Sequence, residues 1–113
     1  MNGIGGNTLA TIQIRTGSER NEIGEIYPEW HYAQTIKGWL DLASGDSRYT
    51  TYYAKVQEST HIFIADYVDL DSKITAESSR MVINGRVYDI MLIDNPMGMN
   101  EQLEIYLKYT GGQ

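Results

Sequence analysis

Asn84-Gly85 sits between two β-prone runs, MVI at 81–83 and RVYDIMLI at 86–93. Both central residues of a type I′ turn need positive φ, which Asn and Gly tolerate. The pair therefore predicts a hairpin turn, and a hairpin commits the flanking chain to an antiparallel sheet. Any architecture for this chain must contain that sheet.

Other stretches repeat the strand signal. In TLATIQIR at 8–15, Ala10, Ile12 and Ile14 alternate with Thr11, Gln13 and Arg15, the period-2 pattern of a half-buried strand. In WHYAQTIKGWLDL at 30–42, Ile36, Gly38, Leu40 and Leu42 share one face; Thr35, Lys37, Trp39 and Asp41 share the other. Gly38 inside this run predicts a bend or bulge. QLEIYLKY at 102–109 sets Leu103, Ile105, Leu107 and Tyr109 against Glu104, Tyr106 and Lys108. STHIFIADYV at 59–68 is apolar on both faces: His61, Phe63, Ala65 and Tyr67 on one, Ile62 and Ile64 on the other. Both sides of such a strand are expected to be covered. The outer cover is either another subunit or an internal loop or helix.

Residues 16–29 carry Gly17, Gly24, Pro28 and several charges, and read as a loop or loose hairpin end. Residues 44–57 hold conflicting preferences. Tyr49, Tyr52, Tyr53 and Val56 fall at helix spacing behind Asp46 or Ser47 as N-cap, yet Thr50 to Tyr53 are β-prone. The segment reads as a short helix or a loop able to change form. Such local conflict is often functional.

The expected fold is all-β: a small six-stranded β-barrel with a long loop or short helix after the second strand. Closure is the common way for short strands to hide their edges. One domain over 8–109 suits a 113-residue chain. Residues 1–7 are expected as a flexible arm and 110–113 as a loose tail.

Chemistry is hard to place on this pattern. Cysteine is absent, which removes disulfides and thiol nucleophiles. His31 and His61 lie far apart without a partner motif, and packing is the simpler role for His61 beside Phe63. GIGG at 3–6 lacks the strand and helix of a dinucleotide site. Asp66, Asp69 and Asp71 resemble a calcium loop only in part, without its central glycine and distal glutamate; a solvated strand end is the simpler reading. Glu19, Glu22 and Glu25 read as hydrated surface. An enzyme is not expected, and neither a cofactor nor a metal is called for.

The charge is -6, from 15 acidic and 9 scattered basic residues. Gripping nucleic acid needs clustered Lys and Arg, so tight DNA binding is disfavoured, although like charge lets a protein surround DNA without adhering. No apolar run approaches a membrane span, and MNGIGGN has neither region of a signal peptide. The nine tyrosines fit strand propensity or an interface.

The order of these elements resembles the head-closure (head–tail connector, adaptor or stopper) proteins of long-tailed bacteriophages. ATIQIR is similar to that family's opening strand, and Trp30 stands where a tryptophan often precedes the second strand. IKGWLDLASG at 36–45 is similar to the family's second strand, with Gly38 for a small alanine. Arg48-Tyr49 matches the opening of the variable loop, and Thr60-His61 with Phe63, Ala65 and Tyr67 matches the third strand. ITAESSRMVINGRVYDI at 74–90 is the nearest stretch, through Arg80, Gly85, Arg86, Tyr88 and Ile90.

The resemblance implies a barrel that docks as a homo-oligomeric ring of about twelve copies. The ring would sit in the virion neck at the capsid vertex, assembled in the bacterial host cytoplasm. A portal-bound adaptor lies above it, and a tail terminator or tail tube below. Genomic DNA passes through its channel without specific binding, and no membrane is involved. The resemblance assigns channel gating to Ser47, Arg48, Tyr49, Thr50, Thr51, Tyr52 and Tyr53. Ile62, Ile64 and Trp39 are the candidate subunit interface, and Asn84 and Gly85 the hairpin turn. The alternatives are a tail terminator or other neck component, and a single-stranded nucleic-acid module of the oligonucleotide-binding type.

Overall fold

A computed structural model describes residues 5–16, 19–20, 22–24, 26–27, 29–42 and 59–112. The strands are β1 (Thr8–Arg15), β2 (Glu19–Arg20), β3 (Ile26–Tyr27), β4 (Trp30–Leu42), β5 (His61–Asp66), β6 (Ser79–Ile83), β7 (Arg86–Asp94) and β8 (Gln102–Gly112). Two short 3₁₀ turns, Ala76–Ser78 and Pro96–Gly98, complete the described elements. The protein is all-β. Among the described residues no helix is long and apolar enough to cross a membrane.

Six strands close into one antiparallel sheet in the order β1-β4-β5-β8-β7-β6, with β6 returning to β1. β2 and β3 form a separate two-residue ladder, Glu19 opposite Tyr27, within the stretch expected as a loop or loose hairpin end. At the β6–β7 turn, Ile83 pairs with Arg86. Asn84 and Gly85 between them have φ of 52° and 79°, the doubly positive geometry that suits the right-handed twist of the flanking strands.

Closing so small a sheet demands curvature, and three irregularities supply it. Ala33 is the extra residue on β4 between the pairs Ile12–Gln34 and Gln13–Tyr32. Met91 is extra on β7, and Thr110 on β8. The bulge on β4 therefore falls at Ala33, while pairing runs unbroken through Gly38.

Gly38 answers a different demand. The chain before β1 crosses β4 at this point: Asn7 N–H donates to Gly38 O at 3.1 Å, and Gly5 N–H donates to Asp66 Oδ2 on β5 at 3.0 Å. A Cβ on Gly6 would strike the Gly38 backbone. A Cβ on Gly38 would strike Ile64 O and come within 2.8 Å of the Phe63 ring. Gly6 lets the arm lie on the Gly38 backbone, and Gly38 lets β4 lie close against β5. Residues 5–7 of the expected arm are thus tied to the sheet, and β8 continues to Gly112 through its pairing with Arg86.

The barrel interior is filled. Phe63, Ile12, Met81, Ile83, Ile105 and Leu107 are its largest fully buried side chains. At about 25 cal/mol per Å² of apolar surface, each stabilises the fold by roughly 1.5–3 kcal/mol. β5 and β6 stand across the barrel from each other, so the chain joining them must pass over one end. Ile74 is buried there, with Leu70 and Tyr67 packed on the core. Gln34 fastens this crossing, donating to Asp69 O at 3.1 Å and accepting from Asp71 N–H at 2.9 Å. At the opposite end His61 meets Tyr88 and Tyr109 edge to face, with His61–Tyr88 centroids 5.1 Å apart, and the two tyrosine rings are tilted to each other.

Candidate functional site

An inward row of apolar residues on each strand leaves the outward row to define function. On β4, β5, β8 and β7 the register aligns two such rows. One runs Trp39, Ile64, Glu104, Asp94; the next runs Asp41, Ile62, Tyr106, Leu92. The rows place five large apolar or aromatic groups on one outer face, Trp39 and Ile64 being direct cross-strand partners. Trp39 keeps 43% of its surface exposed, and Ile62, Ile64, Tyr106 and Leu92 are half-buried. Trp39, Ile62 and Ile64, the sequence candidates for a subunit interface, lie together here, joined by Tyr106 and Leu92. Tyr106 was legible in the alternation of 102–109. Leu92 was not, because the bulge at Met91 sets its phase.

Acids border this face. Asp41 and Asp94 lie at its two edges, and Glu104 lies directly opposite Asp94. Like charges directly across a strand pair repel. Burial raises the Tyr106 pKa above its ordinary value, and the charges of Glu104 and Asp94 and a hydrogen bond with Glu104 add to the rise. Gln102 donates to Glu104 at 2.6 Å.

The other sequence candidates separate. Ser47, Arg48, Tyr49, Thr50, Thr51, Tyr52 and Tyr53, with the short helix or loop expected over 44–57, lie outside the described residues. His61 faces the barrel end. Its Nδ1 lies 2.8 Å from Thr60 Oγ1, which also accepts from Tyr109 N–H at 2.7 Å. His31 pairs with Glu29 at 3.4 Å on the surface. The carboxylates of 66–71 serve local structure. Asp69 accepts from the Tyr67 hydroxyl at 2.8 Å, raising the tyrosine's pKa, and Asp71 accepts from Lys73 N–H at 2.9 Å. Among the described residues no group of three or more His, Cys, Asp or Glu is placed to hold a metal ion.

A groove of about 310 Å³ lies on the other side of the barrel, lined by Arg15, Trp30, Glu77, Ser79, Asp89 and Met91 among others. Beside it the Arg80 guanidinium lies 4.2 Å over the Trp30 ring, and Arg80 Nε donates to Gln13 at 2.7 Å. This stack leaves no local signal in the sequence, since residues 30 and 80 are joined only by closure of the sheet through β1.

No family model matches the chain, and no curated protein matches it. Solved structures share its fold. The solution structure of protein SF1141 from Shigella flexneri 2a is similar over 96% of both chains, with a TM-score of 0.65 and 22% identity. A chain of the virion of a native gene transfer agent particle is similar over 94% of this chain and 96% of that one, with a TM-score of 0.59 and 12% identity. Across both, the likeness spans nearly the whole chain and is one of fold.

Proposed function

We propose that this protein is a non-enzymatic subunit of a phage-type virion neck, a head-closure connector. It would form a ring beneath the portal and its adaptor, seal the DNA channel after packaging and offer a docking surface to the tail. The observation that carries this reading is the outer face built from Trp39, Ile62, Ile64, Tyr106 and Leu92. A filled barrel has no internal need for such a face, and exposed apolar patches mark interaction sites. The fold shared with a chain of a gene transfer agent virion supports the same setting, as does the order of sequence motifs. Net charge -6 suits a protein that lines a DNA path without adhering to it.

A single copy-to-copy contact is weak, so the protein alone is a monomer and a ring forms when a portal assembly presents many sites at once. The test is addition of purified protein to portal–adaptor complexes, imaged for a ring, with Trp39→Glu and Ile64→Lys variants alongside. Wild type should add a ring and the variants should not, while their thermal unfolding stays near wild type. Mutant capsids lacking the protein should leak DNA and fail to join tails. Absence of binding, with such capsids retaining DNA and joining tails, overturns the reading. A ring that joins tails onto capsids that hold their DNA without it points instead to a tail terminator.

A further inference from the structure

The turn between β7 and β8 displays its apolar side chains. Met97 keeps 91% and Met99 57% of its surface exposed. The loop that carries them is fixed from within. The Asn95 side-chain amide donates to Asn100 Oδ1 at 2.7 Å, and its oxygen accepts from Asn100 N–H at 3.1 Å. Gly98 N–H donates to Asn95 O at 2.8 Å. Met97, at φ 56°, lies in the left-handed region, which glycine adopts freely and a longer side chain adopts at a cost. A turn shaped for stability alone would carry glycine or asparagine there. Methionine at this position bears backbone strain and holds a pliable apolar group clear of the surface. Such strain gathers at clamps and switch regions.

The surroundings define what can receive these side chains. Glu101 O accepts from Tyr67 N–H at 3.2 Å, so the crossing chain lies alongside, and exposed Val68 extends the apolar area. Asp94 precedes the loop and faces Glu104 across the strand pair; Asp66 faces Gln102. Across the described residues 66–73 and 94–104 the carboxylates are Asp66, Asp69, Asp71, Asp94, Glu101 and Glu104, and Lys73 is the one cation. Anionic membranes attract basic segments, and nucleic acid calls for clustered cations. This end of the barrel repels both. A second copy would bring the same acids to the same loop.

We propose that the 95–100 loop is an apolar anchor, with Met97 and Met99 seating in an apolar pocket that a partner protein rims with Lys and Arg. A loop already ordered loses little freedom on docking. Methionine adapts to pockets of irregular shape, and the acids speed encounter with a basic rim. The anchor is a point at the barrel end, separate from the sheet face of Trp39 and Ile64, and it does not depend on the neck assignment.

The test uses the full chain labelled with photo-methionine, a near-isosteric photo-crosslinker. It is irradiated with purified portal–adaptor complexes, with purified tails and with extract of its host cell. Linked peptides are then sequenced by mass spectrometry. Links from positions 97 and 99 should fall on another protein, on a peptide whose apolar residues are flanked by Lys or Arg. Met97→Gln with Met99→Gln should lower binding of that protein about ten-fold or more, with thermal unfolding unchanged. Glu101→Lys, or salt raised to about 0.5 M, where screening reaches within a few Å, should lower it several-fold. Met97→Gly removes side chain and strain together, so binding should fall while Tm stays no lower than wild type. Links from 97 and 99 only to a second copy, links to an acidic peptide, or no link to another protein overturn the anchor. So does methionine-dependent binding to phosphatidylglycerol vesicles or to single-stranded DNA. If rings form on portal–adaptor complexes without these links, the neck assignment stands and the anchor falls. A linked partner of the expected chemistry that is neither portal, adaptor nor tail upholds the anchor and counts against the neck assignment.

Discussion

Gly38→Ala tests whether the close approach of β4 to β5 depends on the absence of a side chain. The added Cβ would overlap Ile64 O and stand 2.8 Å from Phe63 Cε2 and 3.0 Å from Ala65 Cβ. Two of these obstacles are the β5 backbone and the fully buried Phe63 ring, so no flexible side chain can swing away. Relief requires β4 and β5 to part by on the order of 1 Å, an overpacking strain that costs about 1–3 kcal/mol. A stiffer unfolded chain returns about 0.4–1 kcal/mol. The net is a loss of about 1–2 kcal/mol, which for a domain of this size lowers Tm by roughly 5–10 °C. Thermal and urea unfolding followed by circular dichroism reads it. Gly6→Ala is the informative companion. From the arm its Cβ strikes the Gly38 backbone; the arm can lift off, so Tm should barely move while the Asn7 amide, bonded to Gly38 O, exchanges with solvent faster. A Gly38→Ala protein as stable as wild type refutes the steric account; equal destabilisation by both variants refutes the distinction between sheet and arm.

Phe63 is completely buried, and Phe63→Ala should cost about 3–5 kcal/mol, leaving a substantially unfolded chain by denaturant titration. Gly85→Ala places a Cβ at φ 79°, and should lower stability by about 1–2 kcal/mol with the hairpin amides losing protection first. Tyr106 has its pKa raised from 10.0 in the fold. Its contribution is therefore fully present below pH 10 and lost as pH climbs through the higher folded value. Tyr106→Phe should flatten that alkaline loss of stability and delete a late-ionising phenol from an ultraviolet titration, and an unchanged titration would refute the placement.

Local alternation made most strands readable. TLATIQIR and 30–42 have the boundaries that their period-2 patterns imply, and Asn84-Gly85 marks its own turn. β5 is shorter than its apolar run: Tyr67 keeps one backbone bond, to Glu101 O, and beyond it Gln34 holds 69–71 over the barrel end. What local pattern does not encode is anything fixed by closure. The β1–β6 pairing joins residues nearly seventy positions apart, and it alone creates the Arg80–Trp30 stack. Gly38 illustrates the same limit. A glycine within a strand signals that space is short, but whether a bulge or a neighbouring strand takes the space depends on how β5 and the Phe63 ring pack against it. The interface candidates were legible in part because two faces of one strand are apolar; the register that joins them to Tyr106 and Leu92 is a property of neighbours.

The filled interior bears on transport. With Phe63 at its centre, Ile74 beneath one end and three rings at the other, the barrel is a solid post. Any conduit this protein lines lies between posts. Its width then follows from how many copies stand in the circle and how they lean, rather than from the number of strands in each. Widening such a conduit would leave every hydrogen bond of the barrel in place.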